Sequence, residues 1–467
     1  MSTYTVGPNS DFPSIAAAMQ VSGPGDVLRL EAGYGNETAT VAFSGMTIFG
    51  GASSHNILLN LALGVTTVTL TGNAPIRLHD ASDANGIVGN AGNNIVTVTG
   101  GIDAVNGGLG IDRLIVDYRG AIGAVTGDST SSFTEAGGGG RMVTITDGTI
   151  EHFTILSGNG TDTITTGAGN DIIKTGQGAS TVSAGQGANT IIGGGNADTI
   201  TALDGGNSVY AGNGANTVTT GNGDDVIYCG VGADTITAGG GSDRITLRGG
   251  ADSVHAGAGD DRLIIDYTAM TSRVSGGITG GNLLTGYVGH VADRLGSSVD
   301  FQGSENFTIM AGSGNDALTT GNGADVLLGN AGNDQLNGGG GRDQLIGGAG
   351  SDTLRGGLGA DIVTGGAGAD VFVFASVAEG STGFGHDLIT DFQIGTDRIA
   401  LTAIDANLSL AGNQSFDFVG SAQFSSVAGE LRYSNGLVTG DVDGDSVADF
   451  TINIGVLSGL TQSDFLL

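Results

Sequence analysis

Residues 311–373 are seven consecutive nine-residue units in one register: AGSGNDALT, TGNGADVLL, GNAGNDQLN, GGGGRDQLI, GGAGSDTLR, GGLGADIVT and GGAGADVFV. The sixth position is aspartate in every unit (Asp316, Asp325, Asp334, Asp343, Asp352, Asp361 and Asp370), and the eighth is apolar from Leu318 to Phe372. Glycine at positions two and four, and often at one, permits positive φ and a tight bend whose carbonyls turn toward one point. The short, often β-branched residues that follow suit a brief strand with position eight facing inward. One unit is then half of a flattened coil and two units close it. Residues 18 apart should stack about 4.8 Å from each other, which makes the chain an all-β solenoid.

That stacking predicts two edge columns of carboxylates, Asp316, Asp334, Asp352 and Asp370 on one side and Asp325, Asp343 and Asp361 on the other. Adjacent charges at this spacing repel by roughly 3 kcal/mol at an effective dielectric of 20. Arg342 and Arg355 are the only basic residues of the block, so side chains cannot supply the balance. Carboxylate and carbonyl oxygens are the ligands that Ca²⁺ prefers, whereas Mg²⁺ demands a tighter octahedron. With one large apolar residue per nine, the segment should be unfolded without metal.

The unit carries the GGxGxDxUx signature and so resembles the RTX family of secreted bacterial repeat proteins. The resemblance implies a right-handed parallel β-roll or β-helix, several Ca²⁺ ions bound in the turns, and export by a type I ABC-transporter pathway from a Gram-negative cell. A second block of twelve units runs from 157 to 264 with apolar residues at position eight throughout. Its sixth positions are Asp162, Asp171, Asp198, Asp225, Asp234, Asp243, Asp252 and Asp261, interrupted by Ser180, Asn189, Asn207 and Asn216. Together with Asp112, in the isolated unit GGLGIDRLI at 107–115, these and the seven aspartates of 311–373 are the candidate metal ligands. Acidic pairs 18 apart occur in this block only at 225/243, 243/261 and 234/252, so 175–220 is expected to bind calcium weakly or not at all and to rest on asparagine ladders.

The remaining segments divide as follows. Residues 1–100 are read as a cap followed by solenoid coils without the calcium motif, with a short helix in FPSIAAAMQV started by Pro13. This beginning resembles the first coil of right-handed β-helix proteins such as polysaccharide lyases. The junction and excursion 101–156 is followed by a second excursion, 265–310, that duplicates 112–156: DRLIVDY recurs as DRLIIDY, and EHFTILSGNGTDTITTGAGND as ENFTIMAGSGNDALTTGNGAD. The stretches 119–150 and 268–304 between these copies are expected to leave the solenoid as surface excursions. Residues 374–467 are richer in aromatics. Their motifs DLITDFQIGTDRIAL, GELRYSNGLVTGDVDGDSVADFTINI and DFLL resemble the C-terminal domain of serralysin-type proteases, which implies a β-rich cap carrying the export signal. Asp441, Asp443, Asp445 and Asp449 alternate around Gly444 like an EF-hand loop, but Ile452 stands where that loop needs glutamate.

A net charge of −32 with Lys174 as the sole lysine excludes nucleic acid and anionic membranes as partners. No run of apolar residues is long enough to span a membrane. The opening MSTYTVGPNSDF has no basic stretch or apolar core, so secretion through an uncleaved C-terminal signal is expected instead of a Sec signal peptide. Cys229 is the only cysteine and permits no intramolecular disulfide. The histidines (His55, His79, His152, His255, His290 and His386) form no HExxH motif, and no GxSxG elbow occurs. The chain is therefore expected to be a non-enzymatic structural, matrix or adhesion component whose partner is an extracellular polysaccharide or a cell surface. A lyase or epimerase with its active face in 1–160 is the alternative. Arg113, Asp117 and Tyr118, or their duplicates Arg262, Asp266 and Tyr267, are candidates for such a face, although their duplication suits a structural junction better.

Overall fold

Within each unit, most repeat strands pair in parallel with the strand 18 residues on. The computed structural model describes residues 1–51, 53–137, 139–146, 148–380, 385–455 and 459–467. It comprises two units, Met1–Gly230 and Val231–Leu467, each a parallel β-solenoid with two facing sheets. The division falls inside the block 157–264.

In the first unit, Thr163–Thr165, Thr181–Ala184, Thr199–Ala202 and Thr217–Thr219 run side by side on one face. Ile172–Lys174, Thr190–Gly194, Ser208–Gly212 and Val226–Cys229 form the other. The eighth-position side chains, Ile164 through Ile227, fill the space between the sheets. Earlier coils are longer: Leu28 pairs with Ile48, and Ile48 with Leu70. The expected helix is present as Ile15–Met19, one turn capped by the Ser14 hydroxyl, which accepts the Ala17 N–H at 3.0 Å. Its buried Ile15, Ala18 and Met19 cover the end of the apolar interior.

The second unit repeats the pattern. Ala317–Thr319, Gln335–Gly341, Thr353–Gly359 and Val371–Val373 form one sheet, and Val326–Ala331, Gln344–Ala349 and Ile362–Ala367 the other. From Asn330 onward turn positions two and four adopt positive φ, as at Gly339 (+93°) and Gly341 (+121°), and Asn330 at position two tolerates +68°. The coils also stack too closely for a side chain there: a Cβ on Gly359 would lie 1.5 Å from the Gly341 carbonyl oxygen.

The two junctions differ from expectation. Residues 119–150 do not leave the solenoid; Val125–Asp128, Ser132–Glu135 and Met142–Ile145 make an antiparallel meander spliced into one sheet. Its outer strands join Thr163–Thr165 and Ile102–Asn106 in parallel. On the opposite face Arg113–Asp117 pairs directly with His152–Leu156. The second copy does the same with Val274–Asn282, Gly286–Asp293 and Ser298–Ser304, while Arg262–Asp266 pairs with Asn306–Met310. An inserted meander keeps its backbone hydrogen-bonded within the sheet, which a free loop of this length would not.

Residues 374–467 continue the coils before closing them. Leu388–Ile389 adds to Ile362–Ala367, Arg398–Ala400 adds to Val371–Val373, and Phe465–Leu466 adds to Arg398–Ala400. An antiparallel meander of Glu430–Ser434, Leu437–Asp441 and Phe450–Asn453 completes the segment.

Candidate metal centres in the turns

Each sixth-position aspartate points into the coil edge and uses one carboxylate oxygen to tie down the preceding coil. The Asp316 N–H donates to Asp334 Oδ1 at 2.8 Å, Asp334 to Asp352 at 2.8 Å, and Asp352 to Asp370 at 2.9 Å. The second column is built alike, Asp325 donating to Asp343 and Asp343 to Asp361, each at 2.8 Å. The columns therefore exist as predicted, but the first partner of each carboxylate is a backbone N–H rather than a metal.

The other oxygen decides the chemistry. Oδ2 of Asp316, Asp325, Asp334, Asp343, Asp352, Asp361 and Asp370 is buried with no hydrogen-bond donor among the described residues, and the same holds for Asp112, Asp171, Asp198, Asp252 and Asp261. The asparagine turns show what this oxygen faces. Asn189 places its Oδ1 on the Asp171 N–H, as the aspartates do, and its Nδ2 donates to the carbonyls of Gly185 and Gly187, both at 3.0 Å. Asn207 Nδ2 donates likewise to Leu203 O at 2.9 Å and Gly205 O at 2.7 Å. Because the two side chains are isosteric, an aspartate in this pose turns Oδ2, instead of an N–H₂ group, toward two carbonyl oxygens.

That is a cluster of oxygens lacking a positive partner, made of carboxylate and backbone carbonyl. At the turns that begin with glycine no Cβ crowds it: one on Gly329 would lie 2.2 Å from Asp334 Oδ2, and one on Gly347 2.3 Å from Asp352 Oδ2, whereas Ala311 and Thr320 stand at that position before Asp316 and Asp325. A hard divalent cation matches both the donor set and the missing charge, and the flexible geometry suits Ca²⁺. Burial pushes these carboxyls upward, to about 8 for Asp343, about 7 for Asp252 and about 6 for Asp112, Asp198, Asp261, Asp325, Asp334 and Asp370. Neighbouring carboxylates add to the effect at Asp343, where Asp325, Asp361 and Asp387 all contribute.

Other predicted ligands lie in the same frame. Asp112 Oδ1 accepts the Asn94 N–H at 2.6 Å, Asp171 that of Phe153 at 2.7 Å, Asp198 that of Ser180 at 2.7 Å, and Asp225 that of Asn207 at 2.7 Å. Asp234 and Asp243 donate their N–H groups to Asp252 and Asp261 at 2.9 and 2.8 Å. Asp162 is the exception. Its Oδ1 takes the Val125 N–H at 2.7 Å and its Oδ2 the Ser157 hydroxyl, so unlike those aspartates it has a donor on each oxygen.

Four acids that periodicity does not reveal complete the columns. Asp361 and Asp370 donate to Asp387 and Asp397, which follow by 26 and 27 residues instead of 18, and Asp387 Oδ2 is again buried without a donor. At the junctions, Asp112 donates to Glu151 Oε2 at 2.6 Å and Asp261 to Glu305 Oε2 at 2.8 Å. Both glutamates open the duplicated stretch EHFTI/ENFTI, which was the available signal.

The RTX calcium-binding nonapeptide repeat (4 copies) family matches residues 156–191, 175–209, 192–227, 201–236, 230–263, 310–345 and 337–372. RTX calcium-binding nonapeptide repeats are thus found in both blocks, which together make up less than half of the chain. No curated protein matches the chain. The RTX matches fall on the turns whose oxygens lack donors and include the asparagine turns between them.

Outside the repeats, Asp441, Asp443 and Asp449 bring carboxylate oxygens within 4.8 Å of one another. The loop binds itself, with Asp441 accepting the N–H groups of Gly444 and Ser446 and Asp449 that of Val442, while Asp445 turns to Val447. The junction residues are woven into the wall. Arg113 donates to Phe153 O, Thr154 Oγ1 and Asn170 O, and Arg262 to Phe307 O, Thr308 Oγ1 and Ala324 O. Tyr118 and Tyr267 are fully buried, Asp117 pairs with Arg119, and Asp266 with Arg248. Cys229 is buried. Among the described residues no helix is long and apolar enough to cross a membrane.

Proposed function

We propose that this protein is a secreted, non-catalytic scaffold that leaves a Gram-negative cell unfolded through a type I ABC exporter and folds on calcium outside, as a structural, matrix or adhesion component. The observation that carries this reading is the row of buried carboxylate oxygens without donors, repeated turn after turn on the RTX units. A bound calcium ion supplies the positive charge that those oxygens lack. The aspartates hold their coils in register through Oδ1, and on metal loading they release the protons that burial otherwise retains on Oδ2. A chain with net charge −32 repels itself until that charge is balanced, which favours an extended form for passage through a channel. Residues 374–467, which pair onto the last coils, act as the cap and carry the export signal.

Co-expression with a type I exporter tests the export half: the full chain should appear in the medium and a version lacking 374–467 should stay inside. Retention of both sinks it. For the non-catalytic half, calcium-loaded protein is incubated with alginate and with pectin. Unsaturated uronates or an altered uronate ratio would establish an enzyme instead.

A further inference from the structure

The nine-residue register does not begin at the matched repeats. Asn85, Asn94, Asp103 and Asp112 follow at nine-residue steps far upstream of residue 156, and align without a gap on Asp234, Asp243, Asp252 and Asp261, ending in DRLIVDY and DRLIIDY. The hydrogen bonds align too. The Asn85 N–H donates to Asp103 Oδ1 at 2.9 Å, as Asp234 does to Asp252 at 2.9 Å. Asn94 donates to Asp112 at 2.6 Å, as Asp243 does to Asp261 at 2.8 Å.

Within this upstream set, Asp103 and Asn85 stand out. Asp103 is 1% exposed, and its Oδ2 is buried without a donor. Asn85 is 2% exposed but does not behave like Asn189 or Asn207. It spends Nδ2 on the Val65 carbonyl, outside its own turn, and leaves Oδ1 buried without a donor. One coil below Gly101, whose Cβ would lie 2.3 Å from the Asp83 carbonyl oxygen, Asp83 takes the Gly64 N–H on Oδ2 and also keeps a buried Oδ1 without a donor. Two stacked turns, 83–85 and 101–103, thus present three side-chain oxygens and no donor. Two neighbours stand apart from this set: Asn94 closes its own turn by donating Nδ2 to Gly92 O at 2.6 Å, and Asp80 has both oxygens on Thr99.

We propose that Asp103, with Asn85 and Asp83, binds a further hard divalent cation of the calcium class outside the matched repeats, fastening the coils that lead into the first inserted meander. Burial, reinforced by Asp80 and Asp83, raises the Asp103 carboxyl to about 7, consistent with a site built for a cation. The proposal rests on the reading that the repeat turns bind calcium.

The test is native mass spectrometry of the full chain in calcium, comparing wild type, Asp103→Asn and Asp252→Asn. Asparagine is tolerated at this turn position, as Asn189 and Asn207 show. Each variant should carry one calcium fewer than wild type. If Asp252→Asn loses an ion and Asp103→Asn does not, the upstream site is refuted while the calcium reading stands. If neither loses one, the calcium reading fails with it. Should Asp103→Asn not fold, Asn85→Asp decides: it recreates the Asp234/Asp252 pair and should retain its last ion to lower free calcium, and unchanged retention overturns the proposal.

Discussion

Acid should fold this protein when calcium is absent. Each turn aspartate with a raised carboxyl holds its proton more tightly folded than unfolded, so the calcium-free fold is favoured fully below about pH 4. That advantage is lost as pH rises through the folded values of about 6 to 8. The physical reason is local: a protonated Oδ2 becomes a donor to the turn carbonyls, the role that Nδ2 plays in Asn189. Asp325 moves from 3.8 to about 6, which favours the folded state at low pH by roughly 3 kcal/mol. Several turns shift in the same direction, so the sum is comparable with the stability of a typical domain. The assay is far-ultraviolet circular dichroism on calcium-stripped protein, stepped from about pH 8 to about pH 5. That range stays above the isoelectric point near 4.1, and light scattering confirms that the chain stays dispersed. The β-sheet signal should grow as pH falls and vanish on return. A chain that stays unfolded across the range, or that folds as pH rises, refutes the argument.

Other outcomes follow from the same turns. Asn189→Asp removes the donors to Gly185 and Gly187. It should cost about 2–4 kcal/mol in limiting calcium, by urea unfolding, and much less in saturating calcium; equal loss in both conditions contradicts the isosteric argument. Gly347→Ala puts a Cβ 2.3 Å from Asp352 Oδ2, so calcium titration should show weaker binding at that turn, whereas unaltered binding would mean that position one is not part of the site. Leu336→Ala opens a hole in the thin core and should lower stability in calcium by about 2–5 kcal/mol, read as a shifted urea midpoint. Calorimetric titration at pH about 7 in buffers of different ionisation heat should show proton release on calcium binding, because Asp343 and Asp252 are then partly protonated.

Much of the solenoid was legible because its period is strict: an aspartate and an apolar residue every nine positions determine coil length, inward face and edge columns together. The asparagines at 189 and 207 mark turns of a different kind, whose amides bond their own turn and also the next coil, Asn189 to Asn207 and Asn207 to Asp225. Periodicity fails where the coil length changes. Asp387 and Asp397 occupy column positions through longer connections, and Glu151 and Glu305 reach them across an inserted meander. The meanders themselves were misread because antiparallel strands bring no nine-residue signal. Asp162 looks like its neighbours in sequence, but Ser157 occupies position one, where glycine would have kept Oδ2 free.

The most direct measurement is anomalous X-ray scattering from crystals grown in calcium. Calcium-specific peaks should appear beside the turns of Asp334, Asp343 and Asp352, with none beside Asn189 and Asn207. Peaks at the asparagine turns as strong as those at the aspartates, or no peaks at either, would contradict a fold held together by cations at carboxylate oxygens.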